Sequence, residues 1–226
     1  MSIIHFDQVS MVYGKGEQEV AALENISLQV EAGEFVAVIG PSGSGKSTFL
    51  SIAGALMKQS SGSVKIKGKE TAGLKPKDLS RLRREEIGFV LQASNLVPYL
   101  TVLDQLIVMK KMSGKVTSSH RKEALDLLSA LGLEKEAAKL PNQLSGGQRQ
   151  RVAVARALIN DPSMILADEP TASLDTEKAF QVVELMAKEI KSRKKAAIMV
   201  THDERLLQFC DKVYRIEDGK LDLLIG

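Results

Sequence analysis

The chain of 226 residues has the length of one large domain, or of one domain with an inserted lobe, which excludes a tandem of full enzymes. A formal net charge of +3 and an aromatic content of 4% are too low to indicate a nucleic-acid surface or base-stacking platforms, so no nucleic-acid partner is expected. With Cys210 as the only cysteine and no apolar run of about 18 residues, we expect a cytosolic protein that does not span a membrane.

Alternating apolar side chains characterise the N-terminal part of the chain. Ile26, Leu28 and Val30 alternate with polar residues, and Val64 and Ile66 do the same. This alternation predicts antiparallel strands with one solvated face. Continuous apolar runs of a different kind occupy residues 35–39, 164–167 and 196–200. Unbroken apolar runs of this length are typical of parallel strands that are buried on both faces.

Segments with helical spacing separate these apolar runs. Their apolar residues recur at positions i, i+3, i+4 and i+7, in three sets: Phe49, Ile52, Ala53 and Leu56; Ala124, Leu127, Leu128 and Leu131; Ala179, Val182, Val183, Met186 and Ile190. Strands that alternate with helices predict an α/β fold with a mainly parallel sheet and an antiparallel β part. Residues from about 93 to 142 show helical patterns and no strand signal. We interpret them as an α-helical subdomain inserted in a single domain, 1–226, whose core comprises residues 1–92 and 143–226.

A glycine-rich loop follows the first buried run. Residues 40–48 match the pattern G-x-x-x-x-G-K-S/T and lie between a predicted strand and a predicted helix, as a phosphate loop requires. Such glycines let backbone N–H groups surround a phosphate at a helix N-terminus, a context that disfavours a ligand-free turn. The loop predicts a P-loop nucleotide-binding core that takes a nucleoside triphosphate with Mg²⁺. Its candidate binding residues are Gly40, Ser42, Gly43, Ser44, Gly45, Lys46, Ser47 and Thr48.

Two acidic residues end the second buried run. Asp168 lies at the end of the predicted strand, where it can orient the water shell of Mg²⁺, and Glu169 beside it can polarise a water aligned on the γ-phosphate. Solvated acids at a strand end are the simpler alternative. A phosphate loop in the same chain favours the catalytic interpretation, so hydrolysis of the nucleotide is the predicted reaction.

Residues 144–148, Leu-Ser-Gly-Gly-Gln, precede a further helical pattern. Ser145 and Gln148 can form a capping box, and this could be their only role. Gly146 and Gly147 each cost about 1 kcal/mol relative to Ala inside a helix, which suggests that a phosphate approaches the bare backbone there. Because the chain already contains a phosphate loop, a second phosphate-binding helix end predicts a second nucleotide contact, most simply in a head-to-tail dimer.

Together these motifs resemble the ATP-binding subunits of ABC transporters. The resemblance rests on the phosphate loop, on residues 144–148 and on residues 167–171, Ala-Asp-Glu-Pro-Thr, and it covers essentially the whole chain. It implies the ABC ATPase fold, with two subunits that enclose two ATP molecules between the phosphate loop of one and the signature helix of the other. Ser145 and Gly147 would then contact the γ-phosphate bound to the partner, with Gly146 and Gln148 beside them.

The resemblance also assigns roles to single residues. Tyr13 matches the aromatic that stacks on adenine, Gln92 the glutamine that touches Mg²⁺ and the lytic water, and His202 the histidine that contacts the γ-phosphate. Asp175 matches the loop that communicates with the opposite site. Strand packing remains an alternative for Tyr13, a packing or surface position for His202, and an N-cap for Asp175. The candidate catalytic residues are therefore Lys46, Gln92, Glu169 and His202, and the candidate Mg²⁺ ligands are Ser47, Gln92 and Asp168.

A separate membrane permease is the partner that the resemblance implies. It would place the chain in the cytoplasm, peripherally on the inner face of the cell membrane, paired with a second copy of itself or with a paralogous ATPase subunit. Residues 96–100, Leu-Val-Pro-Tyr-Leu, form an apolar stretch just after Gln92 and are the candidate permease contact. An internally packed loop explains the same stretch equally well.

Further features are similar to one branch of the family, which includes macrolide-exporter and lipoprotein-release ATPases. Residues 95–100 and Lys220 are similar to haem-efflux ATPases of Gram-positive bacteria. The predicted function is ATP-driven efflux of haem, an antimicrobial peptide or a drug. The alternatives are an ATPase that transmits force through a membrane protein to cell-wall or lipoprotein machinery, and an importer ATPase. A soluble ABC ATPase acting on DNA is disfavoured, because the interval between Gln92 and Leu144 is too short for a long coiled coil.

Overall fold

The computed structural model describes residues 2–14 and 16–226, and within them a six-stranded sheet forms the centre of the fold. Its strands, in sheet order, are β10 (Lys220–Ile225), β9 (Lys212–Glu217), β3 (Phe35–Ile39), β8 (Ala196–Val200), β7 (Met164–Asp168) and β6 (Ile87–Val90). All neighbours pair in parallel except β10, which is antiparallel to β9. Every residue of β3 and β8 is buried, which confirms the predicted parallel strands at these positions.

A second, antiparallel sheet packs beside this centre. Its strands, in sheet order, are β2 (Val20–Glu31), β1 (Ser2–Tyr13), β4 (Ser61–Ile66) and β5 (Lys69–Glu70). The alternating apolar residues of β2 and β4 are buried, as the sequence predicts: Ile26, Leu28, Val30, Val64 and Ile66. From β1, Phe6 meets Phe49 of the phosphate-loop helix with ring centroids 5.0 Å apart, so the two sheets share one core.

The helices are α1 (Lys46–Ala53), α2 (Pro76–Glu86), α3 (Val102–Ser113), α4 (Ser118–Ala130), α5 (Gly146–Leu158) and α6 (Thr176–Ser192). The predicted extension of α1 to Leu56 is wrong. Gly54 caps the helix, Ala55 has a φ of 50°, and Leu56 is 61% exposed. No helical pattern predicts α2, because Leu82 is its only buried residue.

Helices α3 and α4 form the lobe that follows β6. They pack on α5 through a continuous apolar cluster that includes Leu106, Leu128 and Val152 and extends to Val183 of α6. The packing therefore continues across residue 142, where the sequence analysis separates the helical subdomain from the core. None of the helices within residues 2–14 and 16–226 is long and apolar enough to cross a bilayer.

The direction of the strands determines where the motifs meet. Because β3, β8, β7 and β6 are parallel neighbours, their carboxyl ends lie at one edge of the sheet. The phosphate loop follows β3, His202 follows β8, Asp168 ends β7, and Gln92 follows β6. Residues far apart in sequence are thus brought to one edge, which is where open α/β sheets bind their ligands.

Candidate active site

The phosphate loop has a backbone that only glycine permits at key positions. Gly40 and Gly45 have φ values of 151° and 107°, and a Cβ there would lie 2.1 Å from the Ile216 carbonyl oxygen and 2.3 Å from that of Ala22. Side chains are therefore excluded at both positions by conformation and by space. Gly43, with a φ of 81°, faces open space instead, which leaves its backbone accessible to a ligand.

Polar groups within the loop fit an anionic ligand. The Lys46 ammonium donates to the carbonyl oxygens of Gly40 and Pro41, at 2.7 and 2.6 Å, so it lies across the loop. The buried Ser44 hydroxyl has no hydrogen-bond partner within residues 2–14 and 16–226, and no side chain caps the N-terminus of α1. A phosphate would satisfy these donors.

Asp168 ends β7 at the same carboxyl edge of the sheet as the phosphate loop, which follows β3. Burial raises the pKa of its carboxyl, the neighbouring Glu169 charge raises it further, and the Lys46 ammonium opposes both effects. The donor set of Asp168 with the Ser47 hydroxyl suits Mg²⁺, which binds proteins through few oxygen ligands and keeps several waters.

Glu169 and His202 form a pair at the same edge. The His202 Nδ1 lies 2.9 Å from the Glu169 Oε2, and the side chains are 71% and 18% exposed. Glu169 has a φ of 45°, and its backbone N–H donates to the Val200 carbonyl at 2.9 Å. Positive φ is uncommon for a non-glycine residue and is associated with functional sites. The paired carboxylate can accept a proton from a water at this edge.

The other predicted site residues of the core lie around this edge. Gln92 is exposed and follows β6, whose Val90 pairs with Ala167 of β7. Tyr13 ends β1 and is partly exposed. Its hydroxyl lies 3.3 Å from the Thr48 Oγ1 and donates to the Met57 sulfur at 3.1 Å, so Tyr13 borders the phosphate-loop helix.

The predicted capping box at the start of α5 is confirmed. The Gln148 N–H donates to the Ser145 Oγ at 3.2 Å, and the Ser145 N–H donates to the Gln148 Oε1 at 2.9 Å. Packing also favours glycine at both positions. A Cβ at Gly146 would lie 3.3 Å from the Leu174 side chain, and a Cβ at Gly147 would lie 3.3 Å from the Lys178 side chain. No hydrogen bond or ion pair among the described residues joins Ser145–Gln148 to the phosphate loop.

Asp175 is the N-cap of α6, which is the alternative role that the sequence leaves open for it. Its Oδ1 accepts from the Lys178 N–H at 3.0 Å, and its Oδ2 pairs with the Lys178 ammonium. These bonds hold the pKa of Asp175 below its ordinary value. Because the Lys178 stem also lies against Gly147, Lys178 connects this loop to the start of α5. Lys178 is not among the residues predicted from the sequence, although its spacing of three from an N-cap Asp is a usable signal.

Two side chains of α5 contact the segment around Gln92, and neither is predicted from the sequence. Gln150 donates to the Leu91 carbonyl at 3.0 Å. Arg156 donates to the carbonyls of Ser94 and Asn95, at 2.7 and 2.8 Å. No sequence pattern predicts these contacts, because the bonded residues are about sixty positions apart in the chain.

Comparison with known proteins identifies the family. The model of the family described as "ABC transporter" matches residues 23–172. A protein of Staphylococcus haemolyticus, named hemin import ATP-binding protein HrtA, is 43% identical over 220 residues, which cover 97% of this chain and 99% of the relative. A protein of the same name from Staphylococcus aureus is 46% identical over 209 residues, or 92% and 94% of the two chains.

Solved structures agree with this assignment. A dimeric structure of the ATP-binding cassette MJ0796, in a post-hydrolysis state bound to ADP and Pi, has a TM-score of 0.84 and 41% identity and covers 99% of both chains. A second dimeric structure of the same cassette has a TM-score of 0.85 and 40% identity over the same share. The predicted fold class is confirmed. The chain belongs to the ABC transporter family, in which it is an ATP-binding and ATP-hydrolysing subunit.

Proposed function

We propose that the chain works as a head-to-tail dimer, with a second copy or a paralogous subunit. Each ATP would lie between the phosphate loop of one subunit and residues 145–148 of the other. The observation that carries this proposal is that one chain has two glycine-containing helix N-termini, at α1 and α5, with no bond between them among the described residues. The dimeric cassette MJ0796 supports it by similarity.

Within each site the residues have distinct proposed roles. Lys46 and the loop amides bind phosphate oxygens, and Tyr13 stacks on adenine. Ser47, Asp168 and Gln92 would hold Mg²⁺, which would neutralise charge on the phosphates. Glu169 accepts a proton from the attacking water, and His202 holds that carboxylate in place through the contact at 2.9 Å.

Mixing two inactive variants tests the shared site. Lys46→Ala damages the phosphate loop and Ser145→Arg blocks the signature end, so each homodimer has two damaged sites. A mixed dimer combines the intact loop of one with the intact signature of the other, and we expect the mixture to regain ATPase activity. Activity equal to the sum of the separate variants, together with no mixed dimers when both also carry Glu169→Gln, would refute the proposal.

We also propose a separate membrane permease as the partner, bound at the cytoplasmic face through residues 96–100. In this loop Leu96 packs against the apolar cluster while Tyr99 is 80% exposed, which leaves Tyr99 available to a partner. Affinity purification of tagged Glu169→Gln protein with ATP from detergent-solubilised membranes should recover the permease. Adding Tyr99→Ala should reduce the recovery, whereas Leu125→Ala, at an exposed apolar position on α4, should not. Equal recovery with both would place the contact elsewhere.

Haem is the cargo we propose for the assembled transporter, because the relatives are named for hemin. Their names specify import, whereas the resemblance in the sequence predicts efflux. Cells that lack this subunit should accumulate haem and become haem-sensitive if the direction is outward, and should take up less haem if it is inward. Unchanged haem content and growth would favour the alternative in which the ATPase drives cell-wall or lipoprotein machinery.

A further inference from the structure

Arg156 lies in the last turn of α5 and holds the segment that follows Gln92. Its two terminal nitrogens donate to the carbonyls of Asn95 and Ser94, at 2.8 and 2.7 Å. Arg156 is half-buried, and this burial lowers the pKa of its guanidinium. Charged donors in such surroundings form stronger hydrogen bonds than neutral ones. Asn95 adopts a φ of 46°, a conformation that these bonds help to hold.

Gln150 of the same helix holds the other side of Gln92. It is 2% exposed, and its amide donates to the Leu91 carbonyl at 3.0 Å. The chain is therefore bonded to α5 one residue before Gln92 and again two and three residues after it. Gln92 lies between two attachments to one helix.

The remainder of the loop is bonded to α3. Gln105, which is fully buried, accepts from the Val97 N–H at 3.1 Å and donates to the carbonyls of Val97 and Leu100, at 2.7 and 3.2 Å. Since α3 itself packs against α5, the whole segment 91–100 is attached to the helical side of the protein.

We propose that Arg156 and Gln150 are positioning residues that make Gln92 and the loop to Leu100 move with α5. This inference rests on the proposed dimer, in which the opposite end of α5, Ser145–Gln148, contacts the ATP held by the partner. A helix is stiff over this length, so a shift at its N-terminus is carried to Arg156. ATP bound by the partner subunit then sets the position of both Gln92 and the loop proposed to face the permease.

Hydrogen exchange and kinetics of the purified full chain test this role. In the absence of nucleotide, Arg156→Ala should raise the rate of deuterium uptake in residues 91–100 about tenfold, because two charge-assisted hydrogen bonds are lost. In steady state its kcat should fall, its KM for ATP should stay within about twofold, and half-maximal activity should need more Mg²⁺. Arg121→Ala is the matched control, since Arg121 is an exposed arginine on α4.

Conservative variants keep the inference testable if Arg156→Ala does not fold. Arg156→Lys retains the charge but has a single ammonium in place of the planar fork, and it should give an intermediate uptake. Gln150→Leu should increase uptake around Leu91. Uptake, kcat and Mg²⁺ demand equal to those of Arg121→Ala would overturn the proposal. The exchange experiment needs neither nucleotide nor dimer, so its failure is distinct from failure of the mixing experiment.

Discussion

Replacing Glu169 with Gln removes the proposed general base and leaves the nucleotide-binding groups intact. The two side chains have nearly the same shape, and the glutamine Oε1 can still accept a hydrogen bond from His202, which lies 2.9 Å from the carboxylate. Lys46 donates to the carbonyls of Gly40 and Pro41 and not to Glu169. We therefore expect the variant to fold and to bind ATP as the wild type does.

The loss should appear in kcat. General-base catalysis contributes about 10²- to 10⁴-fold. At about 1.4 kcal/mol for each tenfold change, the activation barrier should rise by about 3 to 5.5 kcal/mol.

Phosphate release and ATP calorimetry on the purified protein measure the two expectations separately. Glu184→Gln makes the same change at an exposed position on α6 and is the matched control. Turnover of Glu169→Gln within a few-fold of wild type would refute the general-base role. A large loss of ATP affinity would instead show that Glu169 contributes to binding.

Three further predictions follow from burial and charge. Phe49→Ala removes a fully buried ring and should lower the free energy of unfolding by about 3–5 kcal/mol in urea titrations, whereas the exposed Tyr99→Ala should change it little. The pKa of Asp168 is raised in the folded protein, so the stability that this group contributes is complete below its ordinary pKa of 3.8 and is lost as the pH rises through the raised value. Without nucleotide, Asp168→Asn should therefore have a higher melting temperature than the wild type at pH 7, but not below pH 3.8. Burial raises the pKa of the Cys210 thiol to about 12, so iodoacetamide at pH 8 should label it slowly in the native protein and rapidly in urea; rapid native labelling would contradict this environment.

Strands and helices are predicted well from local sequence wherever their apolar pattern is strong. The buried strands β3, β7 and β8 and the core face of α6 follow directly from apolar spacing. Helix α2 did not, since its surface is mostly charged and its signals are a proline at the start and arginines in the last turn. Leu56 fits the helical spacing but lies past the glycine that ends α1, because a local stop signal outweighs periodicity.

The chemistry that depends on neighbouring residues in the chain follows from local sequence alone. The phosphate loop needs glycines next to Lys46, and the cap of α5 needs Ser145 and Gln148 three residues apart. The long-range contacts are established by folding: Glu169 lies beside His202, and Arg156 is bonded to the segment after Gln92. These contacts depend on the order of the parallel strands and on how α5 packs against β6, and no spacing along the chain encodes that arrangement.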